Sequence, residues 1–205
     1  MTSTEHFFKQ ALLDLKIDDH RKSLLHNIAT AISHRLIEDG SVNLNFICTH
    51  NSRRSQLAQV WGSFAAHLFN IAGIKSFSGG TAVTSFFRNT IATLQEVGFE
   101  FQLIDFSHEN PKYHIRFKES LQPIVGFSKL YDDLQNKRPF MAITTCSSAD
   151  ENCPFIPDAT DRFHLPFNDP KAFDGTDQQD EKYLETNRQI AGEIHFIFAA
   201  IANSI

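Results

Sequence analysis

Asn43-Leu44-Asn45-Phe46-Ile47-Cys48-Thr49-His50-Asn51-Ser52-Arg53-Arg54-Ser55-Gln56-Leu57-Ala58 decides how this chain folds. A short apolar run ends at Cys48, and five residues lead from there to Arg54. Beyond Ser55 the apolar residues Leu57, Val60, Trp61, Phe64, Ala65 and Leu68 recur at spacings of three and four, which is one face of a helix. The stretch therefore reads strand, tight loop, helix. Cys48 closes the strand, and Arg54 and Ser55 open the helix.

That arrangement suits a thiolate attacking an oxyanion. Backbone N–H groups of the loop can converge on several oxygens, and the helix N-terminus adds a partial positive charge. Arg54 offers a planar fork of donors. The same field favours the thiolate form of Cys48. Asn51 and Ser55 are small polar residues suited to holding the loop and hydrogen-bonding the sulfur. The C-x5-R spacing alone often arises by chance, and also fits a buried strand-end thiol beside two solvated arginines. The strand–loop–helix context turns it toward anion chemistry.

Working outward, residues 1–41 read as a helical N-terminal extension. Phe7, Phe8, Ala11, Leu12 and Leu15 share one face; Leu24, Leu25, Ile28, Ile32 and Leu36 form a second run. Asp18-Asp19 is an N-cap signal and Asp39-Gly40 a stop. The extension carries no evident chemistry and is expected to pack on a catalytic unit spanning 42–205. Lys75 to Thr81 predicts a short strand ending in the Gly79-Gly80 turn, and Ser85 to Val97 a helix closed by Gly98. In 99–139, Tyr113 to Phe117 alternates like a strand, and a helix is expected around Lys129 to Gln135. Phe140 to Thr145 fits a central strand with Cys146 at its end. Ser147 to Pro154 reads as a polar loop, Asp169-Pro170 as a turn, and Thr176-x-x-Gln179 as a capping box opening a long helix. Strands alternating with helices imply an α/β fold, a parallel sheet with helices on both faces. Ligands of such sheets sit at the carboxyl ends of strands, where Cys48 and Cys146 both stand.

The 205 residues, 41% of them apolar, suffice for one substantial core, and the 20 phenylalanines read as its filling. A net charge of −5 argues against a nucleic-acid partner. No secretion signal or membrane-length apolar run is evident, so no membrane role is expected. Three cysteines are too few for a disulfide framework, and a reducing cytoplasm is the expected location.

The loop Cys48-Thr49-His50-Asn51-Ser52-Arg53-Arg54-Ser55-Gln56-Leu57-Ala58 resembles the C-T-G-N-S-C-R-S-Q-M-A of the low-molecular-weight tyrosine phosphatase superfamily. Ser78-Gly79-Gly80-Thr81 resembles its S-A-G element, and Asp169-Pro170 its general-acid element. Cys146 through Cys153-Pro154, a C-x6-C-P segment, is similar to the redox-cysteine segment of the thioredoxin-coupled arsenate reductase branch. The resemblance runs from about Asn43 to the C-terminus.

It implies that arsenate or phosphate sits in the loop, held by Thr49, His50, Asn51, Ser52, Arg53, Arg54 and Ser55. Cys48 would attack arsenic, Asp169 would act as general acid, and Cys146 and then Cys153 would carry the oxidation onward to an external dithiol such as thioredoxin. No bound cofactor or metal is implied. A zinc site would need four ligands, and only His164 lies near the two later cysteines. The chain departs from the pattern at His50, where the family carries glycine, at Arg53, where many relatives carry cysteine, and at Gln59, where some reductases use a glutamate to help hold potassium. The alternative reading is a phosphatase using only Cys48, Arg54 and Asp169. For that reading the nearest aromatic after the general acid, Phe173, is a poor match to a phenyl-ring slot. A non-catalytic redox sensor or binding module is the third.

Overall fold

Val42–Cys48 forms β1, and all of it but Asn43 is buried, as befits a strand covered on both faces. The computed structural model describes residues 2–118, 120–152 and 155–205. In chain order the elements are α1 (Ser3–Leu13), α2 (Asp19–Asp39), β1, α3 (Arg54–Leu68), β2 (Ile74–Gly80), α4 (Arg88–Glu96), β3 (Glu100–Asp105), β4 (Lys112–Arg116), β5 (Ile124–Gly126), β6 (Phe140–Thr144), α5 (Ser147–Asn152), β7 (Ala159–His164), a 3-10 turn (Pro170–Phe173) and α6 (Gln179–Ala202). Four parallel strands in the order β2-β1-β6-β7 make the main sheet, with Cys48 level with Gly80 and Ile47 level with Thr144. This is the expected parallel sheet with helices.

Period-two alternation in β1 assigns its two faces. Leu44 and Phe46 join Met141 and Ile143 in the larger core, beneath α1, α2, α3 and α6; Ile47 joins Phe140 and Ala142 in a smaller one with Ala149 and Ile156. The first helices are integral to the larger core. Asp18 caps α2 by accepting from the Arg21 N–H at 2.7 Å, and Gly40 ends it in the left-handed conformation at φ 72°. Phe8 is fully buried, stacked on Trp61 with ring centroids 5.2 Å apart, a burial that stabilises by about 2–3 kcal/mol. Gly192 of α6 lets α1 approach closely: a Cβ there would fall 2.5 Å from the Ala11 carbonyl oxygen. Trp61 Nε1 donates to Asn187 Oδ1 (2.6 Å), whose amide nitrogen donates to the Thr93 carbonyl (3.1 Å), so α6 also ties α3 to α4. Among the described residues, no helix is long and apolar enough to cross a membrane.

Several local expectations give way. Lys129 to Gln135 is not a helix. Its chain runs alongside β2, where Gly80 N–H donates to the Lys129 carbonyl (2.8 Å) and Tyr131 N–H to the Gly80 carbonyl (3.0 Å). Tertiary pairing overrides helical propensity there. Conversely, Ser147 to Asn152 is the short helix α5 rather than loop. Helix α4 begins at Arg88, not Ser85, because Phe87 N–H is drawn to the Ser52 carbonyl at 3.1 Å. The Thr176 capping box forms only in altered shape. Gln179 starts α6, its side chain accepts from Gly175 N–H (2.9 Å), and Thr176 instead donates to the Phe173 carbonyl (2.8 Å). The strand expected over Tyr113 to Phe117 is present as β4, but it sits in a separate antiparallel sheet, β3-β4-β5, that the sequence does not announce, and β7 is likewise unannounced.

Candidate active site

Cys48 ends β1 at the sheet's carboxyl edge, only 4% exposed. Its Sγ lies 3.0 Å from Ser55 Oγ and accepts from the Asn51 N–H at 3.2 Å. The direction of the serine bond follows from its neighbour. Asn51 Nδ2 donates into Ser55 Oγ (2.9 Å), leaving the hydroxyl proton of Ser55 for the sulfur. Two donors therefore point at the thiol. Asn51 is itself fixed, because its Oδ1 accepts from the Lys129 N–H (2.9 Å) and from Gln56 Nε2 (3.2 Å).

The glycine departure at His50 is accommodated without crowding. Asn51 takes the left-handed conformation in this loop, at φ 45°, while the His50 side chain is exposed. The His50 carbonyl accepts from Ser128 Oγ (2.9 Å) and Thr84 Oγ1 (3.0 Å). Gln59 spends its amide within the protein, accepting from Ser78 Oγ and donating to the Val125 carbonyl. Among the described residues, no cluster of three His, Cys, Asp or Glu side chains is placed to hold a metal ion.

Arg54 opens α3, where the first-turn N–H groups have no carbonyl of their own helix to meet. One guanidinium nitrogen donates to the Phe167 carbonyl (3.0 Å) and another pairs with Asp169 Oδ2. Its Nε is buried with no hydrogen-bond partner among the described residues, a donor suited to an oxyanion. Asp169 also caps the 3-10 turn, its Oδ1 accepting from the Lys171 N–H at 3.0 Å. The two residues read as anion clamp and general acid thus meet in space, 115 positions apart.

Arg53 has its own network, which the sequence did not reveal. Its Nε donates to the Tyr183 hydroxyl (2.6 Å) and its Nη2 to Asp174 Oδ2 (2.7 Å), and Tyr183 donates to Asp174 Oδ1 (2.7 Å). The guanidinium lies 3.9 Å from the centre of the Phe87 ring. Burial pushes the Tyr183 phenol well above its usual range, so it stays a donor. This triangle ties the loop before α3 to the turn that carries Asp169 and to α6. Tyr183 belongs to the buried face of α6.

Cys146 follows β6 and is buried at 3% exposure. Thr49 Oγ1 lies 3.4 Å from its sulfur, so a side chain of the Cys48 loop touches the second thiol directly. The backbone joins the same two stretches, as Thr145 N–H donates to the Ile47 carbonyl at 2.7 Å. Helix α5 then leads away from Cys146. It is pinned by Asp150, which accepts from Thr144 Oγ1 (2.9 Å) and Arg162 Nη2 (2.6 Å). Burial alone would raise the Asp150 carboxyl, but these bonds outweigh it and hold it below its usual value. Cys153 lies outside the described residues.

Comparison with known proteins places this constellation. No family model matches the chain. A protein named arsenate reductase 2 from Staphylococcus epidermidis is 32% identical over 127 residues, covering 61% of this chain and 76% of its own. The chain belongs to the arsenate reductase family. Another arsenate reductase, from Oceanobacillus iheyensis, is 27% identical over 156 residues, 75% of this chain and 92% of that one. The superfamily fold extends further. A low-molecular-weight protein tyrosine phosphatase from T. tengcongensis superposes with a TM-score of 0.53 at 16% identity, over 78% of this chain and 99% of that chain. This family member carries its Cys48 loop and Cys146 on that common scaffold.

Proposed function

We propose that this chain reduces arsenate to arsenite through a relay of Cys48, Cys146 and Cys153. Arsenate enters the Cys48–Arg54 loop, where backbone N–H groups and the Arg54 guanidinium replace its hydration. Cys48 attacks arsenic, and Asp169 gives a proton to the oxygen that departs. Cys146 then attacks the Cys48 sulfur. The sulfur–arsenic electron pair returns to arsenic, arsenite leaves, and a Cys48–Cys146 disulfide remains. Cys153 attacks Cys146, freeing Cys48 and leaving a Cys146–Cys153 disulfide, which an external dithiol such as thioredoxin reduces. A reducing compartment such as the cytoplasm suits this cycle.

The observation that supports the reading is the 3.4 Å contact of Thr49 Oγ1 with the Cys146 sulfur, which sets a second thiol against the Cys48 loop. Phosphoester hydrolysis through Cys48, Arg54 and Asp169 does not require it. The role of Cys153 rests on its spacing in the C-x6-C-P segment.

The test is arsenate-dependent NADPH oxidation with the protein, thioredoxin and thioredoxin reductase, beside a p-nitrophenyl phosphate control. Sustained oxidation that Cys146→Ser and Cys153→Ser each abolish is the expected result. Ester hydrolysis without arsenate turnover would assign the chain to phosphatase chemistry.

A further inference from the structure

A cleft of about 430 Å³ lies beside β2, walled by α3, the first half of β2, β5 and the segment leading to β6. Its β2 residues pair with the start of β1, whereas Cys48 pairs with Gly80 at the far end; Lys129 reaches the Cys48 loop through its backbone N–H, which donates to Asn51 Oδ1. Lys75, Lys129 and Lys137 line it, and no Asp or Glu does, in a chain whose net charge is −5. Lys75 and Lys137 are exposed, and their ammonium groups stand close enough that Lys137 depresses the pKa of Lys75. Lys129 is only 3% exposed, and burial pushes its pKa down to about 8, with Asp133 as the carboxylate acting against that shift. Ser76 Oγ is buried in the same wall without a hydrogen-bond partner. Phe77, Ile124 and Val125 supply apolar surface.

Crowded like charges, a desolvated ammonium and an unsatisfied hydroxyl are each unfavourable alone. One anionic group among the lysines relieves the first two; Ser76 Oγ stays buried against Gly62 of α3. We propose that this cleft binds a small aromatic organic anion, with its charged end among the three lysines and its flat body against Phe77 and Val125. The volume falls in the range of small-molecule sites, and the mix of apolar walls with a few polar groups is what such sites require. None of the three lysine side chains belongs to the Cys48 loop, so the proposal stands or falls independently of arsenate chemistry.

The experiment titrates the full chain with 8-anilinonaphthalene-1-sulfonate in excess inorganic phosphate, which occupies the catalytic loop, and follows backbone amide shifts and binding heat. Saturable binding with shifts centred on Lys75, Ser76, Val125 and Lys129 is expected. The Lys75→Glu/Lys137→Glu double variant, which alters only exposed side chains, should keep its melting temperature yet bind the probe about tenfold more weakly or worse. Shifts confined to residues 48–54 or to other surfaces, non-saturable binding, or unchanged affinity in the double variant would overturn the proposal.

Discussion

Arg54 at the start of α3 and Asp169 at the head of the 3-10 turn are ion-paired with each other. An oxyanion that takes the guanidinium fork therefore competes with the carboxylate expected to protonate it later. Asp169→Asn should bind inorganic phosphate more tightly while its arsenate turnover falls about 10²- to 10⁴-fold, the usual contribution of a general acid. Titration calorimetry and coupled NADPH oxidation measure the two effects. Equal phosphate affinity in both proteins would mean that the pair does not compete with the anion.

Ser55 supplies a hydroxyl donor to the Cys48 sulfur, oriented by Asn51. Ser55→Ala should slow alkylation of Cys48 by iodoacetamide at neutral pH by about tenfold, since one charge-assisted hydrogen bond is lost. Mass spectrometry of the alkylated peptide at timed intervals reads this directly. An unchanged rate would show that the Asn51 N–H suffices.

Arg21 and Glu193 form a largely buried ion pair between α2 and α6, at 2.8 Å, with the Glu193 side chain 0% exposed. Burial raises the Glu193 carboxyl above its usual value despite the arginine. Glu193→Ala strands a guanidinium that also donates to the Pro166 carbonyl, and should destabilise the fold by about 3–5 kcal/mol. Urea unfolding should show a smaller loss for Glu193→Gln, which keeps an acceptor facing Arg21.

Lys129 titrates near 8 when folded against an ordinary 10.5, so the folded state binds its proton less well than the unfolded chain. The penalty on its charge is fully present below about pH 8 and fades as the pH rises toward 10.5. Lys129→Met should therefore be more stable than the parent at pH 7, by up to about 3 kcal/mol, with the advantage shrinking at pH 9 to 10. Urea unfolding across that pH series checks the sign. An advantage that grows with pH would contradict it.

What the sequence made legible was local. The apolar run into Cys48, the helical period after Ser55 and the turn at Asp169-Pro170 are contiguous signals, and each lands where expected. Distant contacts were less legible. Nothing in the spacing of Arg53, Asp174 and Tyr183 announces their hydrogen-bonded triangle, because the fold supplies it. Lys129 to Gln135 read as helical because pattern reasoning sees propensity and misses the backbone pairing with Gly80. Strand β7, half polar in Ala159–His164, shows no clean alternation, although its register against β6 is regular from Met141 onward.

The approach of α1 to α6 at Gly192 has a consequence for synthesis. Helix α1 rests on α6, which is made after it, so a nascent chain complete through β7 still lacks part of the surface that α1 and α2 cover. Phe8, Leu25 and Ile32 reach their full burial only when α6 arrives to complete the core around them.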